Sequence, residues 1–190
     1  MYKDNRITVV IPCLNEEEGI QRVLAALPAF VDEVIVVDNA STDGTWRLAE
    51  NLAAGLDHVR AVHLDRKGRG LALRTAWTQS DAEVVAYMDV DLSTDLGHLP
   101  ALVDPIAAGE VDVAYGTRLH RDSQTNRSFK REFISRSYVF ILNYLAGLKV
   151  TDAQCGFKAM SREAARALVP LVRDNAWFFD SELLLVAQEN

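Results

Sequence analysis

Short apolar runs alternate with amphipathic stretches along the first 116 residues. Five runs of strand length, rich in β-branched residues, cover 7–11, 33–37, 59–64, 84–88 and 111–115. The stretches between them have helical periodicity and predict helices that end near residues 27 and 54 and others at 70–79 and 96–108. Apolar runs without alternation are typical of parallel strands covered on both faces. The pattern predicts an α/β protein with a doubly wound, mostly parallel sheet.

The pattern changes after Gly116. Residues 117–126 are polar and predict a loop, and 128–148 predict one long helix that is basic at its start and apolar later. A short strand at 156–160, a helix capped by Ser161 and ending at residue 168, and a last helix beginning at Asp180 follow. Asn15 is likewise predicted to cap the helix after the first strand. The last helix has no closing glycine or cap, so a chain truncated at its C-terminus is one interpretation.

Polar clusters follow four of the predicted strands. They cover residues 12–16, 38–44, 89–91 and 116–118. Because ligands of open α/β sheets bind outside the carboxyl ends of the strands, these clusters predict a nucleotide pocket. Asp89 and Asp91 favour a divalent cation that bridges to phosphates, and the alternative is a solvated acidic turn. Asp38 could accept a hydrogen bond from a nucleobase or ribose, or could cap the turn after its own strand.

Charge and cysteine usage limit the class of protein. A net charge of −7 argues against a broad nucleic-acid surface. The segment 118–136 is nevertheless basic, and this favours either an anion site or a solvated face there. Its cations are Arg118, Arg121, Arg127, Lys130, Arg131 and Arg136. Cys13 and Cys155 form no zinc-binding pattern and are typical of reduced cytoplasmic thiols. The start does not resemble a signal peptide, and no apolar stretch has the length of a spanning helix.

Residues 67–70 combine two glycines with two cations just before a helix, a pattern that favours an anion at the helix N-terminus. No GxGxxG follows the first strand and no GxxxxGK[ST] is present, which argues against a dinucleotide-dependent dehydrogenase and a P-loop enzyme.

Three segments, 9–17, 36–45 and the DxD motif Asp89-Val90-Asp91, together resemble family 2 glycosyltransferases of the GT-A fold. In the second half, segments 116–118, 131–136, 152–158 and 179–184 look like dolichyl-phosphate glucose and mannose synthases and their bacterial polyprenyl-phosphate relatives. The resemblance implies a single domain over 1–190, with a nucleotide-binding half at 1–116 and an acceptor- and sugar-binding half at 117–190.

The resemblance also implies the roles of individual residues. The expected nucleotide-binding residues are Pro12, Asn15, Glu16, Asp38, Arg69 and Asp89. Asp91 is expected to bind Mg²⁺ or Mn²⁺, with Asp89 shared between ribose and metal. Ser93 stands where the mannose-synthase branch often has a glutamine ligand. Expected phosphate or acceptor ligands are Arg118, Arg131 and Ser135.

Two further pairs are expected near the sugar. Asp152 and Gln154 fall in the segment that lines the sugar pocket, and Asp180 and Glu182 match an acidic pair near the sugar. Asp152 as a turn former and Asp180 as a helix cap are the structural alternatives. The expected catalytic set is Asp91, Arg118, Arg131, Asp180 and Glu182.

The expected activity is inverting transfer of a hexose from UDP-glucose or GDP-mannose to a polyprenyl or dolichyl phosphate. The acceptor phosphate is anionic, so a strong general base is not required. The alternatives are a family 2 enzyme with a hydroxyl acceptor, which needs a base, and a non-catalytic nucleotide-sugar-binding domain. Residues 138–148 predict a helix at the cytoplasmic face of a membrane, or else a helix packed on the sheet.

Overall fold

Strands and helices alternate along the chain in the predicted order. A computed structural model describes residues 2–118 and 129–190, and for 129–132 it describes the backbone only. The strands are β1 (Ile7–Cys13), β2 (Glu33–Asn39), β3 (Val59–Leu64), β4 (Val84–Met88), β5 (Val113–Tyr115) and β6 (Phe157–Ser161). The helices are α1 (Glu17–Ala26), α2 (Thr45–Gly55), α3 (Arg69–Gln79), α4 (Leu99–Ala107), α5 (Phe129–Ala146), α6 (Arg162–Leu168) and α7 (Phe179–Glu189).

The six strands form one sheet in the order β3-β2-β1-β4-β6-β5. Strands β1 to β4 pair in parallel. Strand β6 runs antiparallel between β4 and β5, with Tyr87 opposite Lys158. The predicted mostly parallel sheet is therefore confirmed. The insertion of β6 joins the second half of the chain to the centre of the sheet, directly beside β4, the strand that Asp89 follows.

Helices cover both faces of the sheet. One core packs α1, α2 and α4 against side chains such as Val9, Ile11 and Val36. The other packs α3, α6 and α7 against Val10, Ile35 and Tyr87. Successive strand residues point to opposite faces, so burial on both faces accounts for the uninterrupted apolar runs in the sequence.

Two predicted helix caps have different outcomes. Ser161 accepts a hydrogen bond from the amide of Ala164 at 3.1 Å, as expected of an N-cap. The predicted cap at Asn15 is wrong, because α1 begins after Glu16 without a side-chain cap bond. Asn15 has a positive φ of 56°, and its side-chain oxygen accepts from the amide of Thr42 at 2.8 Å. It joins the loop after β1 to the loop after β2.

Helix α5 packs on the rest of the molecule through only part of its surface. Leu142 lies in a small core with Leu148, Ala153 and Leu184. The outer side of α5 exposes six large apolar side chains: Phe133, Ile134, Phe140, Ile141, Tyr144 and Leu145. We call these six the α5 apolar face. Of the predicted loop 117–126, the structure describes only residues 117 and 118, so that prediction lies mostly outside the described residues.

Candidate active site

A cavity of about 600 Å³ opens at the carboxyl edge of the sheet, where the strand-end clusters meet. Nine residues predicted for the site line it: Pro12, Glu16, Arg69, Asp89, Asp91, Arg118, Ser135, Gln154 and Asp180. Asn39, from the predicted polar cluster 38–44, also lines it, and so does Trp177, which sequence reasoning did not assign to the site. The structure therefore brings residues from both halves of the chain to one cavity.

Three carboxylates form the acidic side of this cavity. Asp91 is exposed, and its Oδ1 accepts a hydrogen bond from the amide of Ser93 at 2.9 Å. Burial raises the pKa of Asp89, and the nearby Asp91 and Asp180 charges raise it further against the opposing effect of Arg69. Burial also raises the pKa of Glu16, assisted by the charges of Asp91 and Asp43. The cavity thus concentrates negative charge that a cation would relieve.

Asp89 is held in place by contacts on two sides. Arg69 at the start of α3 donates to Asp89 Oδ1 at 2.8 Å, and the Asp89 amide donates to the carbonyl of Gly156 at 3.2 Å. A Cβ on Gly156 would lie 1.9 Å from Asp89 Oδ2. Only glycine allows the carboxylate to approach this backbone so closely. Gly156, which directly precedes β6, the antiparallel neighbour of β4, is therefore part of the site.

Arg118, which lines the cavity, forms an ion pair with Asp152. Arg118 donates to Asp152 through Nε at 2.8 Å, through Nη2 at 3.1 Å and through its backbone amide at 3.1 Å. Burial alone would raise the pKa of Asp152, but these hydrogen bonds and the arginine charge lower it. Asp152 is 2% exposed and does not line the cavity. It positions Arg118, which does.

Beneath the cavity lies a buried polar cluster that we call the Lys158 cluster, formed by Lys158, Tyr87 and Asp180. The Lys158 ammonium donates to Asp180 Oδ1 at 2.8 Å, and the Tyr87 hydroxyl donates to the same oxygen. Arg69 Nε lies 3.5 Å from the other oxygen, Oδ2. Sequence reasoning missed Tyr87 and Lys158. The available signal was a long polar side chain within each of two short strands that are otherwise apolar.

Asp180 lies inside α7 rather than before it. The N-cap position is Phe178, so the alternative reading of Asp180 as a helix cap is wrong. The amide of Phe179 is instead satisfied by Asp174 Oδ1 at 3.0 Å. Asp180 is 2% exposed and lines the cavity.

Besides Asp152, three predicted site residues do not line the cavity: Asn15, Asp38 and Glu182. Asp38 is fully buried, and it accepts from the Ser41 amide at 3.3 Å and contacts His63 Nδ1 at 2.7 Å. Glu182 accepts from the amide of Asp174 at 2.8 Å. Asn15 joins two loops, as described above. Their predicted roles in binding or catalysis stay predictions, whereas their contacts in the structure support loops around the site.

The N-terminus of α3 differs from the predicted anion site. The amides of Gly70 and Leu71 donate to the carbonyls of Ala176 and Asn175 at 3.2 and 3.0 Å. These bonds satisfy donors that an anion would otherwise use. The segment before α7 therefore closes the end of α3, and Arg69 is the group that reaches the cavity. Trp177 of the same segment is 67% exposed and lies with its ring 5.1 Å from the Arg69 guanidinium.

Ser135 and Arg131 lie on α5. Ser135 is half-buried and lines the cavity. The side chain of Arg131 is outside the part of the structure that is described, so its role stays a prediction. Among residues 2–118 and 129–190, no group of three or more histidine, cysteine or acidic side chains forms a complete metal cage. The carboxylates of the cavity fit the different arrangement in which one or two protein ligands share a cation with substrate phosphates.

The mostly parallel sheet carries an acidic strand end and the guanidinium of Arg118 at one cavity, as expected from the resemblance to glycosyltransferases of the GT-A fold. The family profile described as Glycosyl transferase family 2 matches residues 8–169, and the chain belongs to this family. Among curated proteins, glycosyltransferase AglD of Haloferax volcanii is 40% identical over 191 residues, covering 96% of this chain and 31% of AglD. Human dolichyl-phosphate beta-glucosyltransferase is 31% identical over 204 residues, covering 96% of this chain and 63% of that protein.

Solved structures with the same fold include glucosyl-3-phosphoglycerate synthase from Mycobacterium tuberculosis. Its complex with Mn²⁺, UDP-glucose and glycerol 3-phosphate has a TM-score of 0.74 and 25% identity, covering 98% of this chain and 66% of that one. Another crystal structure of that enzyme has a TM-score of 0.71 and 28% identity, covering 95% and 65%. The expected GT-A fold is confirmed. The chain spans less than two thirds of the length of the curated relatives described above.

Proposed function

We propose that this chain transfers glucose from UDP-glucose to a polyprenyl phosphate with inversion at the anomeric carbon. The observation that carries the proposal is the composition of the cavity, which is lined both by the carboxylates Asp89 and Asp91 and by Arg118 and Ser135. The first pair suits a cation and the donor diphosphate, and the second suits the acceptor phosphate. The family, and the relatives named dolichyl-phosphate beta-glucosyltransferase, support glucose and a lipid phosphate.

The residues present fit a divalent cation bound together with the donor. Asp91 is exposed to the cavity and Asp89 lies beside it, so both would be ligands of Mg²⁺ or Mn²⁺. When bound, the cation supplies positive charge that stabilises the departing diphosphate. The Mn²⁺ in structures of the related synthase supports this assignment. Glu16 and Asp89 have raised pKa values, so a cation would also relieve the repulsion among the carboxylates.

The acceptor phosphate is the nucleophile in this proposal. Its oxygen is already anionic at neutral pH, so attack at the anomeric carbon requires positioning more than proton removal. Donor and acceptor both carry negative charge, and Arg118 would reduce their repulsion. Arg118 is suited to this because its pKa is raised, mainly by its hydrogen bonds to Asp152, and because a guanidinium matches the geometry of phosphate.

We further propose that the α5 apolar face lies on the cytoplasmic surface of a membrane, where it would meet the lipid acceptor. Phe140, Tyr144 and Leu145 are 68%, 77% and 75% exposed. They lie on the same helix as the cavity residue Ser135, so a lipid phosphate held there could keep its tail in the bilayer. Within the described residues, no helix combines the length and apolar content needed to cross a membrane. The division into halves at residue 116 follows the same proposal: 1–116 for the nucleotide, 117–190 for acceptor and sugar.

A hydroxyl acceptor is the second candidate, and the structural similarity to glucosyl-3-phosphoglycerate synthase favours it. Such a reaction needs a general base near the anomeric carbon. The two predicted candidates are engaged elsewhere: Asp180 Oδ1 accepts from Lys158 and Tyr87, and Glu182 accepts from the Asp174 amide. These contacts favour the phosphate acceptor.

The test uses the 190-residue chain with radiolabelled UDP-glucose and Mn²⁺. One reaction contains undecaprenyl phosphate in detergent, and a parallel reaction contains 3-phosphoglycerate. The proposal expects label to enter the organic phase only with the lipid and only in the presence of metal. Label in a water-soluble phosphoglycerate product would instead support the hydroxyl acceptor. Absence of transfer in both reactions, with UDP-glucose binding intact, would support the non-catalytic alternative.

A further inference from the structure

Lys158 is a charged residue in the middle of the sheet that neither the metal nor the acceptor phosphate accounts for. It lies on β6 opposite Tyr87 of β4 and is fully buried. Burying an ammonium group is unfavourable unless its charge and its three donors are all satisfied. A methionine would fill similar space without that penalty, and a buried ion pair by itself is weak evidence for stability. Stability alone therefore does not explain a lysine at this position, and the groups that Lys158 holds in place do.

The three donors of the Lys158 ammonium are satisfied by three close acceptors, and the Tyr87 hydroxyl oxygen lies further away at 3.4 Å. The ammonium nitrogen lies 2.8 Å from Asp180 Oδ1, 2.7 Å from the carbonyl of Cys155 and 3.2 Å from the carbonyl of Ala153. The two carbonyls belong to the residues on either side of Gln154. One side chain thus holds the carboxylate of α7 and the backbone of the 152–156 segment at the same time.

The groups that Lys158 holds both reach the cavity. Asp180 and Gln154 line it, and Gln154 is exposed to it. Tyr87 contacts the same two groups, because its hydroxyl donates to Asp180 and its oxygen lies 3.3 Å from the Cys155 carbonyl oxygen. Arg69, which contacts Asp180 Oδ2 at 3.5 Å, also donates to Asp89. Asp180 is therefore held by Lys158 and Tyr87 through one oxygen, and its other oxygen faces Arg69, which contacts Asp89.

We propose that Lys158 and Tyr87 are positioning residues that hold Asp180 and Gln154 as a preformed binding site for the hydroxyl groups of the donor hexose. A fixed carboxylate and a neighbouring amide are hydrogen-bonding groups suited to sugar hydroxyls. Because the acceptors are aligned before the donor arrives, the sugar binds without the entropy loss of ordering them. The inference rests on the proposed function, since it assigns a role within the same donor site.

The test compares the affinities of UDP and UDP-glucose, both with Mn²⁺, by isothermal titration calorimetry. Lys158→Met is expected to weaken UDP-glucose binding by about ten- to a hundredfold, the effect of losing a charge-assisted hydrogen bond, while UDP affinity stays within about twofold of wild type. Tyr87→Phe, which removes only a hydroxyl, is expected to cause the same selective loss on a smaller scale. It also serves as the test if Lys158→Met does not fold.

Ser80→Ala is the matched control. It removes a buried hydroxyl that bonds Thr8 Oγ1 at 3.0 Å, away from the cavity residues, and it is expected to change neither affinity. Equal losses of UDP and UDP-glucose in the Lys158 and Tyr87 variants, or no loss of either, would overturn the positioning role. A wild-type chain that binds neither ligand would contradict the proposed function itself. A wild type that binds both equally would contradict only the role assigned here.

Discussion

Helices α3 and α5 both contribute to the cavity, yet they are built in opposite ways. Helix α3 has five buried residues among eleven, and its first amides are closed by carbonyls of the segment before α7. Helix α5 contributes Ser135 to the cavity but leaves six large apolar side chains exposed. The side of the site that we propose for the donor is therefore part of the packed core. The side proposed for the acceptor lies on a helix whose apolar surface still lacks a covering partner among the described residues.

The difference between the two helices separates side chains that buried contacts hold in place from side chains that need a further partner. Arg69 and Asp180 are oriented by buried contacts that form whether or not a ligand is bound. The α5 apolar face gains its favourable free energy only when something apolar covers it. A rigid donor site and a surface-dependent acceptor site together suit an enzyme that takes one substrate from water and the other from a bilayer.

The largest expected effect concerns the donor side. Asp91→Asn should lower turnover by about a thousandfold or more, because it removes a ligand of the cation that stabilises the leaving diphosphate. Asp91 is exposed, so the melting temperature should hardly change. Steady-state assays at saturating Mn²⁺ measure the first quantity and calorimetry the second.

Asp65→Asn is its matched control, since Asp65 also follows a strand at this edge and its side chain is fully exposed. Its turnover should equal that of wild type. A variant at position 91 that kept near-normal metal-dependent turnover would contradict the assignment of Asp91.

The second largest effect concerns the ion pair between Arg118 and Asp152, which we expect to stabilise the fold as well as to position Arg118. Arg118→Ala leaves Asp152, which is 2% exposed, as a buried charge without its partner. The free energy of unfolding should fall by about 2–3 kcal/mol, towards the range for a broken buried pair. Urea denaturation followed by circular dichroism measures it.

Arg166→Ala provides the comparison, because Arg166 and Asp81 form an ion pair whose side chains are 61% and 83% exposed. Its expected loss is at most about 0.5 kcal/mol. Equal losses in the two variants would mean that Asp152 does not depend on Arg118.

A smaller effect tests the acceptor side. The double variant Phe140→Ser/Leu145→Ser should weaken binding to liposomes containing anionic lipid by about tenfold or more, since each side chain contributes up to about 2 kcal/mol when buried. Fold stability should stay close to wild type, because both side chains are already exposed in the structure. Co-sedimentation with vesicles measures the binding.

Leu56→Ser is the control, because Leu56 is an exposed leucine beside the edge strand β3, at the opposite edge of the sheet from β5. It should leave vesicle binding unchanged. Equal binding by the double variant and wild type would remove the basis for placing α5 on a membrane.

The smallest effect is a difference in pH dependence between ligand binding and folding. Glu16 and Asp89 have raised pKa values, so as pH falls they take up protons before ordinary carboxylates do, and Mn²⁺-dependent UDP binding should weaken in that range. Asp152 has a lowered pKa. Its stabilising contribution is present above the unfolded value of about 3.9 and is lost only as pH falls through its lower folded value.

Calorimetric titrations and thermal unfolding over the same pH range therefore should show binding lost while the fold persists. Glu16→Gln should shift the binding profile to lower pH without moving the unfolding profile. Loss of binding and of folding at the same pH would contradict this separation.

The polar strand ends were readable from the sequence because each is a local pattern. The apolar run 84–88 predicts a strand. The two carboxylates that follow it, Asp89 and Asp91, predict that this strand ends at the edge of the sheet where ligands bind. The same reasoning placed Pro12, Glu16 and Arg118 correctly at the cavity. It could not show that the Asp38 carboxylate contacts His63 or that Glu182 bonds a loop amide. Those partners are chosen by packing, and residue type does not reveal them.

The sequence by itself determined the alternation of strands and helices, the sheet covered on both faces and the edge at which polar groups collect. These follow from hydrophobic periodicity and from the chirality of short parallel connections. Only the tertiary structure decided that β6 enters the sheet antiparallel beside β4 and places Lys158 across from Tyr87. Lys158 and Asp180 are 22 residues apart, and Tyr87 and Asp180 are 93 apart. The partners of a buried charge are set by the fold as a whole. The Lys158 cluster could therefore be recognised only in the tertiary structure.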